Sequence, residues 1–240
     1  MSTDTSAGRP SAAEIAAESD TGGRALTGTL GGFVALVAFI WACFQLYIAS
    51  GVPYWVTENF GINAVFNNTQ SRIVHLAFAI ALATFSYPLL KRSARHTIPW
   101  YDWILAIVGV SCCLYLLVFK DDIASRAGLP TKGDILASSL GLASLAIAVF
   151  RSLGLPMLCV AGVFVLYVFF GDADWLPDVI QWKGASYGKA LWHYWMQTEG
   201  VFGVALGVSA SIIFLFVLFG SLLEKAGAGN YFIKLAFALL

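Results

Sequence analysis

Long apolar runs alternate along the chain with short polar connections. Residues 30–49, 73–90, 103–119, 135–150, 153–170 and 201–223 form runs that are nearly free of charge. A helix needs about 20 apolar residues to cross about 30 Å of hydrocarbon at 1.5 Å per residue, so the pattern predicts six crossings. The runs are too long for strands and lack alternation of period two. The fourth is short and the weakest, diluted by Ser138, Ser139, Gly141 and Ser144. Pro156 falls in the first turn of the fifth, where its missing N–H does no harm. The fold class is an all-α integral membrane protein with about six transmembrane helices and aromatic-rich interfacial segments. A partial seventh helix follows over 230–240.

Composition points the same way. Lys, Arg, Asp and Glu make up 12% of the 240 residues and hydrophobic residues 59%, whereas a soluble chain is about 25% charged. A soluble core of this size cannot bury so much apolar side chain with so few charges to solvate its outside. The lipid bilayer is therefore the first expected partner. The formal net charge is zero, which removes the basic stripe that nucleic-acid binding requires. Cys43, Cys112, Cys113 and Cys159 lie inside apolar runs without CxxC spacing and read as small buried hydrophobes. No HExxH or phosphate-loop motif occurs, so neither an enzyme nor a catalytic, cofactor or metal site is expected.

Residues 1–24 are rich in Ser, Thr, Ala and Gly and read as a disordered, solvated tail, assigned as a unit to residues 1–28. The acidic lead and the late, long first run argue against a cleaved signal peptide. Orientation follows from basic residues in short loops. Lys91, Arg92 and Arg95 cluster between the second and third runs and place that loop, and with it the amino terminus, in the cytoplasm. Basic residues then divide eight inside to six outside, while the acids, Asp134 among them, lean outward. Two segments read as interfacial anchors: residues 51–71, with Pro53, Tyr54, Trp55, Phe60 and Phe66, and residues 175–197, with Trp175, Trp182, Tyr187, Trp192, Tyr194 and Trp195.

Polar groups in lipid are expensive and each is a functional candidate. His75, one turn inside Arg72, reads as a hydrogen-bonded interhelical histidine, with a proton relay as the sharper alternative. Asp102 begins the third helix, where the helix dipole favours a carboxylate and Arg92 or Arg95 is the expected partner. Gln45 is expected to hydrogen-bond a neighbouring helix. In the last long run Gly203, Gly207 and Ser211 recur every four residues, a small-residue stripe that lets another helix approach closely. Beyond it the chain breaks at Gly227-Ala228-Gly229 and begins a further apolar helix of half a crossing. The sequence thus reads as cut short, with a longer parent expected.

The segment 198–211, with its continuation through 214–220 to 227–233, closely resembles the opening of the large membrane subunit of TRAP (tripartite ATP-independent periplasmic) transporters, and in particular the fused permeases of the TAXI subgroup. Upstream, Arg72-Ile73-Val74-His75-Leu76-Ala77-Phe78, Tyr87-Pro88, Ile98-Pro99-Trp100-Tyr101-Asp102 and Arg126-Ala127-Gly128-Leu129-Pro130 resemble the small-subunit region of the same permeases. One departure is Arg151, which stands alone where the family usually has a Glu and paired arginines. The resemblance implies an importer in the bacterial inner membrane, driven by a sodium or other ion gradient, which takes carboxylate-bearing solutes from a periplasmic TAXI-type solute-binding protein. It further implies that the sodium and substrate ligands lie downstream of Leu240, in the remainder of the large permease subunit, and that the helices here form a fixed scaffold. The domain map becomes the tail at 1–28, a five-helix scaffold at 29–172, a periplasmic interfacial segment at 173–199 and the start of the transport domain at 200–240. The competing reading is a self-contained channel or membrane enzyme using His75 and His193, which fall on the same expected side.

Overall fold

A computed structural model describes residues 23–89, 95–126 and 128–239. Among these residues the fold is all-helical, without strands. The helices are α1 (Gly28–Ala49), α2 (Val52–Phe60), α3 (Asn68–Ser86), α4 (Trp100–Val118), α5 (Lys120–Ser125), α6 (Lys132–Leu153), α7 (Leu155–Phe170), α8 (Tyr187–Leu191), α9 (Val204–Lys225) and α10 (Ala228–Leu239). A π-helical turn, Trp192–Met196, extends α8, and another, Ser209–Ile213, interrupts α9.

All six predicted runs form helices, and four of them, α1, α4, α6 and α9, are long and apolar enough to cross a membrane. The run expected to be weakest becomes one of these four. The α6 helix spans 22 residues because the Thr131 side chain accepts from the Asp134 N–H while Asp134 reaches back to the Thr131 N–H, a capping box that starts the helix three residues early. The α7 helix is apolar but only 16 residues long, because Gly154, at φ 82°, turns the chain sharply between α6 and α7. The α3 helix opens on the polar stretch Asn68–Arg72, which lowers its apolarity, and the Asn67–Gln70 capping box fixes its start.

Burial reverses the ranking by apolarity. The most polar of the long helices, α3, is the central one, burying Ile73, Leu76, Ala77, Ile80, Ala81, Thr84 and Phe85 at helical spacing. It packs against α4, α1 and α6. By contrast α7 buries nothing and α1 only Gln45, so their apolar faces are exposed. Small residues supply the contact surfaces: Ser138, Gly141 and Ser144, which diluted the fourth run, line the inner face of α6. A Cβ on Gly109 of α4 would stand 2.6 Å from Ile80 Cγ2 and 3.3 Å from Ser144 Cβ, so three helices meet there at backbone distance.

The predicted interfacial segments divide. In α2, Tyr54, Trp55 and Phe60 are exposed and the helix caps on Gly61 in the left-handed region. In the second segment Trp175 and Trp182 are exposed, but Trp192 and Trp195 are not anchors. Trp195 has no exposure, packs edge-on to Phe202 at 5.2 Å and lies on Gly141, where any Cβ would overlap its ring. The α8 turn and its extension enter the bundle because Gly141 leaves an indole-sized space. The cysteines divide as well, with Cys112 and Cys113 buried as expected and Cys43 and Cys159 exposed on helix surfaces.

Replacing Gly141 by Val should lower the unfolding free energy in mixed micelles by about 1–3 kcal/mol, the cost of overpacking a filled interior. Gly162, with nothing within 4 Å of a Cβ, should tolerate the same change. Tryptophan fluorescence during denaturant titration reads both variants.

Candidate functional site

Asp102, in the first turn of α4, is fully buried. Its Oδ2 accepts from Arg24 Nη2 at 2.5 Å and its Oδ1 from Arg151 Nη2 at 2.6 Å, and both arginine side chains are at most 1% exposed. Among the described residues its partners are Arg24 and Arg151; Arg92, one of the two loop arginines expected from sequence, lies outside the described residues, as does Lys91. Each guanidinium also donates to carbonyls at the carboxyl end of α3: Arg24 to Thr84 and Phe85, Arg151 to Thr84 and Tyr87. Helix geometry explains the arrangement. The open carbonyls and negative dipole end of α3 hold two cations, while the positive start of α4 holds the carboxylate between them.

Arg24 also moves the boundary of the expected tail. Its backbone N–H donates to Ser86 O at 2.7 Å, so the chain is docked on the bundle before α1 begins, and residues 1–22 lie outside the described residues. Arg151, alone between two apolar runs, is part of an ion-pair cluster. A single arginine between two apolar runs was the available signal; nothing local marks Arg24.

A second buried carboxylate, Asp134, stands at the opposite end of the bundle. Its Oδ1 accepts from Tyr115 Oη at 2.8 Å and Arg126 Nη2 at 3.3 Å, and its Oδ2 accepts from the Thr131 N–H and hydroxyl, both at 2.9 Å. Sequence reasoning treated Asp134 only as an outward acid. The pattern Thr131-x-x-Asp134 before an apolar run was the legible sign of its capping role.

Gln45 and His75 come together. The Gln45 amide donates to His75 Nδ1 at 2.5 Å, joining α1 to α3. An amide nitrogen only donates, so the imidazole proton belongs on Nε2, 3.5 Å from Ser209 Oγ on the π-helical turn of α9. Trp41 and Phe214 close the ring's sides at centroid distances of 4.9 and 5.8 Å. His193 is elsewhere, exposed with its ring on Tyr194, and its ring contacts share no residue with those of His75.

The small-residue stripe serves three separate ends. Gly203 faces the carbonyls of its own preceding turn, Gly207 faces the Arg72 guanidinium of α3, and Ser211 is exposed and donates to Gly207 O. No group of three or more His, Cys, Asp or Glu side chains able to hold a metal ion forms among the described residues.

Asp102→Asn should cost about 3–5 kcal/mol in detergent unfolding, because it strands two buried guanidinium groups, whereas Asp121→Asn on the exposed face of α5 should be neutral within about 0.5 kcal/mol. A double-mutant cycle of Gln45→Leu and His75→Leu should give a coupling energy of about 0.6–1.7 kcal/mol, the range for interhelical hydrogen bonds in lipid.

Comparison of the chain with family profiles, with curated proteins and with solved structures gives no match.

Proposed function

We propose that this chain is the stationary scaffold of an ion-gradient-driven permease of the TRAP type. It would lie in the cytoplasmic membrane of a bacterium with the amino terminus inside, with α3 and α7 completing six crossings. The rest of a large permease subunit would supply the mobile transport core, and a periplasmic binding protein the carboxylate-bearing solute.

The observation that supports this reading is where the charges go. Asp102 and Asp134 are each locked by arginines at opposite ends of the bundle, and the interior between them is packed by Ile80, Gly109, Cys113, Ser144 and Trp195. A permeation path needs polar groups that exchange partners along its length, and a brace needs ends that do not move. Membrane helices otherwise associate through close packing and a few hydrogen bonds, so the two ionic ends and the glycine contacts suit a rigid element. The His75 and His193 reading draws no support from their placement.

In proteoliposomes this chain alone should give no gradient-dependent uptake of a carboxylate solute. The same chain joined to a transport core, with binding protein added, should transport when a sodium gradient is imposed. Uptake by the chain alone would overturn the scaffold assignment. For orientation, a membrane-impermeant maleimide should label Asp121→Cys in intact cells stripped of their outer membrane and His96→Cys only after permeabilisation, in a background lacking Cys43 and Cys159. The reverse pattern would invert the proposed topology.

A further inference from the structure

The end of α1 and the starts of α3 and α9 line a partly open cavity of about 250 Å³, with Asn68, Ser71, Arg72 and Ser211 among its polar lining residues and Ile48 and Val208 among its apolar ones. The Arg72 guanidinium lies flat on Gly207: a Cβ there would stand 2.6 Å from Nη2 and 2.7 Å from Nε and Cζ, so only glycine leaves the seat open. Arg72 Nη1 donates to Phe202 O at 3.0 Å, which engages one of the five N–H donors of the group.

Arg72 differs from Arg24, Arg126 and Arg151 in its charge balance. Arg24 and Arg151 share Asp102 and Arg126 holds Asp134, but among the described residues no carboxylate lies within ion-pair distance of Arg72. It sits four residues, about 6 Å, inside the start of α3, and Ile48 is the penultimate residue of α1. The aromatic helix α2 follows directly, so the cavity stands at headgroup depth, where a partly desolvated cation without a counter-charge is costly. The Ser71 and Ser211 hydroxyl protons already go to the Asn67 and Gly207 carbonyls, which leaves the guanidinium and the Asn68 amide as donors for a ligand.

We infer that this cavity binds the phosphate of a membrane phospholipid headgroup, with Arg72 as its counter-charge, Asn68 as a second donor and Ile48 and Val208 against the glycerol end. Tetrahedral oxyanions suit a guanidinium that presents parallel donors, and the apolar side favours a phosphate carried on lipid over free phosphate. The site requires only that α1 and α9 lie in lipid, whichever solute is carried.

Native mass spectrometry of the detergent-purified chain tests it, with dioleoyl phosphatidylglycerol, dioleoylglycerol and inorganic phosphate as probes. The wild-type chain should retain phosphatidylglycerol and not dioleoylglycerol, and millimolar inorganic phosphate should displace little of it. Arg72→Gln should weaken phosphatidylglycerol binding about tenfold or more, the loss expected for one charge-assisted pair, and Arg72→Lys should lose less. Equal binding of the two lipids by the wild-type chain overturns the site without recourse to any variant. So does unchanged affinity in a folded Arg72→Gln chain. Saturation by inorganic phosphate with exclusion of phosphatidylglycerol overturns the lipid assignment in favour of a soluble anion.

Discussion

A carboxylate buried at a helix start cannot remain charged in an apolar surrounding without cations beside it, and in this bundle the cations come from two distant parts of the chain. Asp102 draws in Arg24 from before the first helix and Arg151 from the end of α6, and both lean on the open carbonyls of α3. Four chain segments are thereby fixed at one point. Removing the carboxylate would leave two guanidinium groups stranded, so each member of the cluster holds the others in place. The Asp134 cluster performs the same task at the other end for α4, α6 and the turn between them, with Tyr115 bridging from α4.

Between these two ends the bundle is held by closeness rather than by charge. Lipid offers apolar side chains nothing to escape from, so helix association depends on how near backbones can come. Gly109 lets Ile80 and Ser144 converge, and Gly141 admits the Trp195 indole. Ser138, Gly141 and Ser144, which weakened the apolar run of α6, therefore face inward, while the most apolar helix, α7, has no buried residue at all. The Gln45–His75–Ser209 contact adds a polar link between α1, α3 and α9 beside a π-helical turn, where a widened coil turns Ser209 toward the imidazole.

Much of the architecture was legible in the chain. Hydrophobic run length gave the long helices and their order, and Pro156 marked the first turn of α7, whereas the capping boxes at Asn67 and Thr131 start α3 and α6 ahead of their apolar runs. Gln45 and His75 were recognisable as polar residues that needed interhelical partners, though not as partners of each other. Asp102 was recognisable as a carboxylate favoured by a helix start, but its partners Arg24 and Arg151 were not, because proximity in sequence pointed to Arg92 and Arg95. Trp192 and Trp195 were misjudged for a related reason: an aromatic cluster near a helix end reads as an interfacial belt, and only the space beside Gly141 turns it inward.

By itself, then, the sequence determined the helical class and the approximate positions of the long apolar helices, since these depend on run length and on residues within one or two turns. The tertiary structure alone decided which charges are neighbours, which face of each helix is buried and where glycine is required. Those depend on residues brought together across 49 to 78 positions, as in Arg151–Asp102 and Arg24–Asp102, where no local periodicity carries the information.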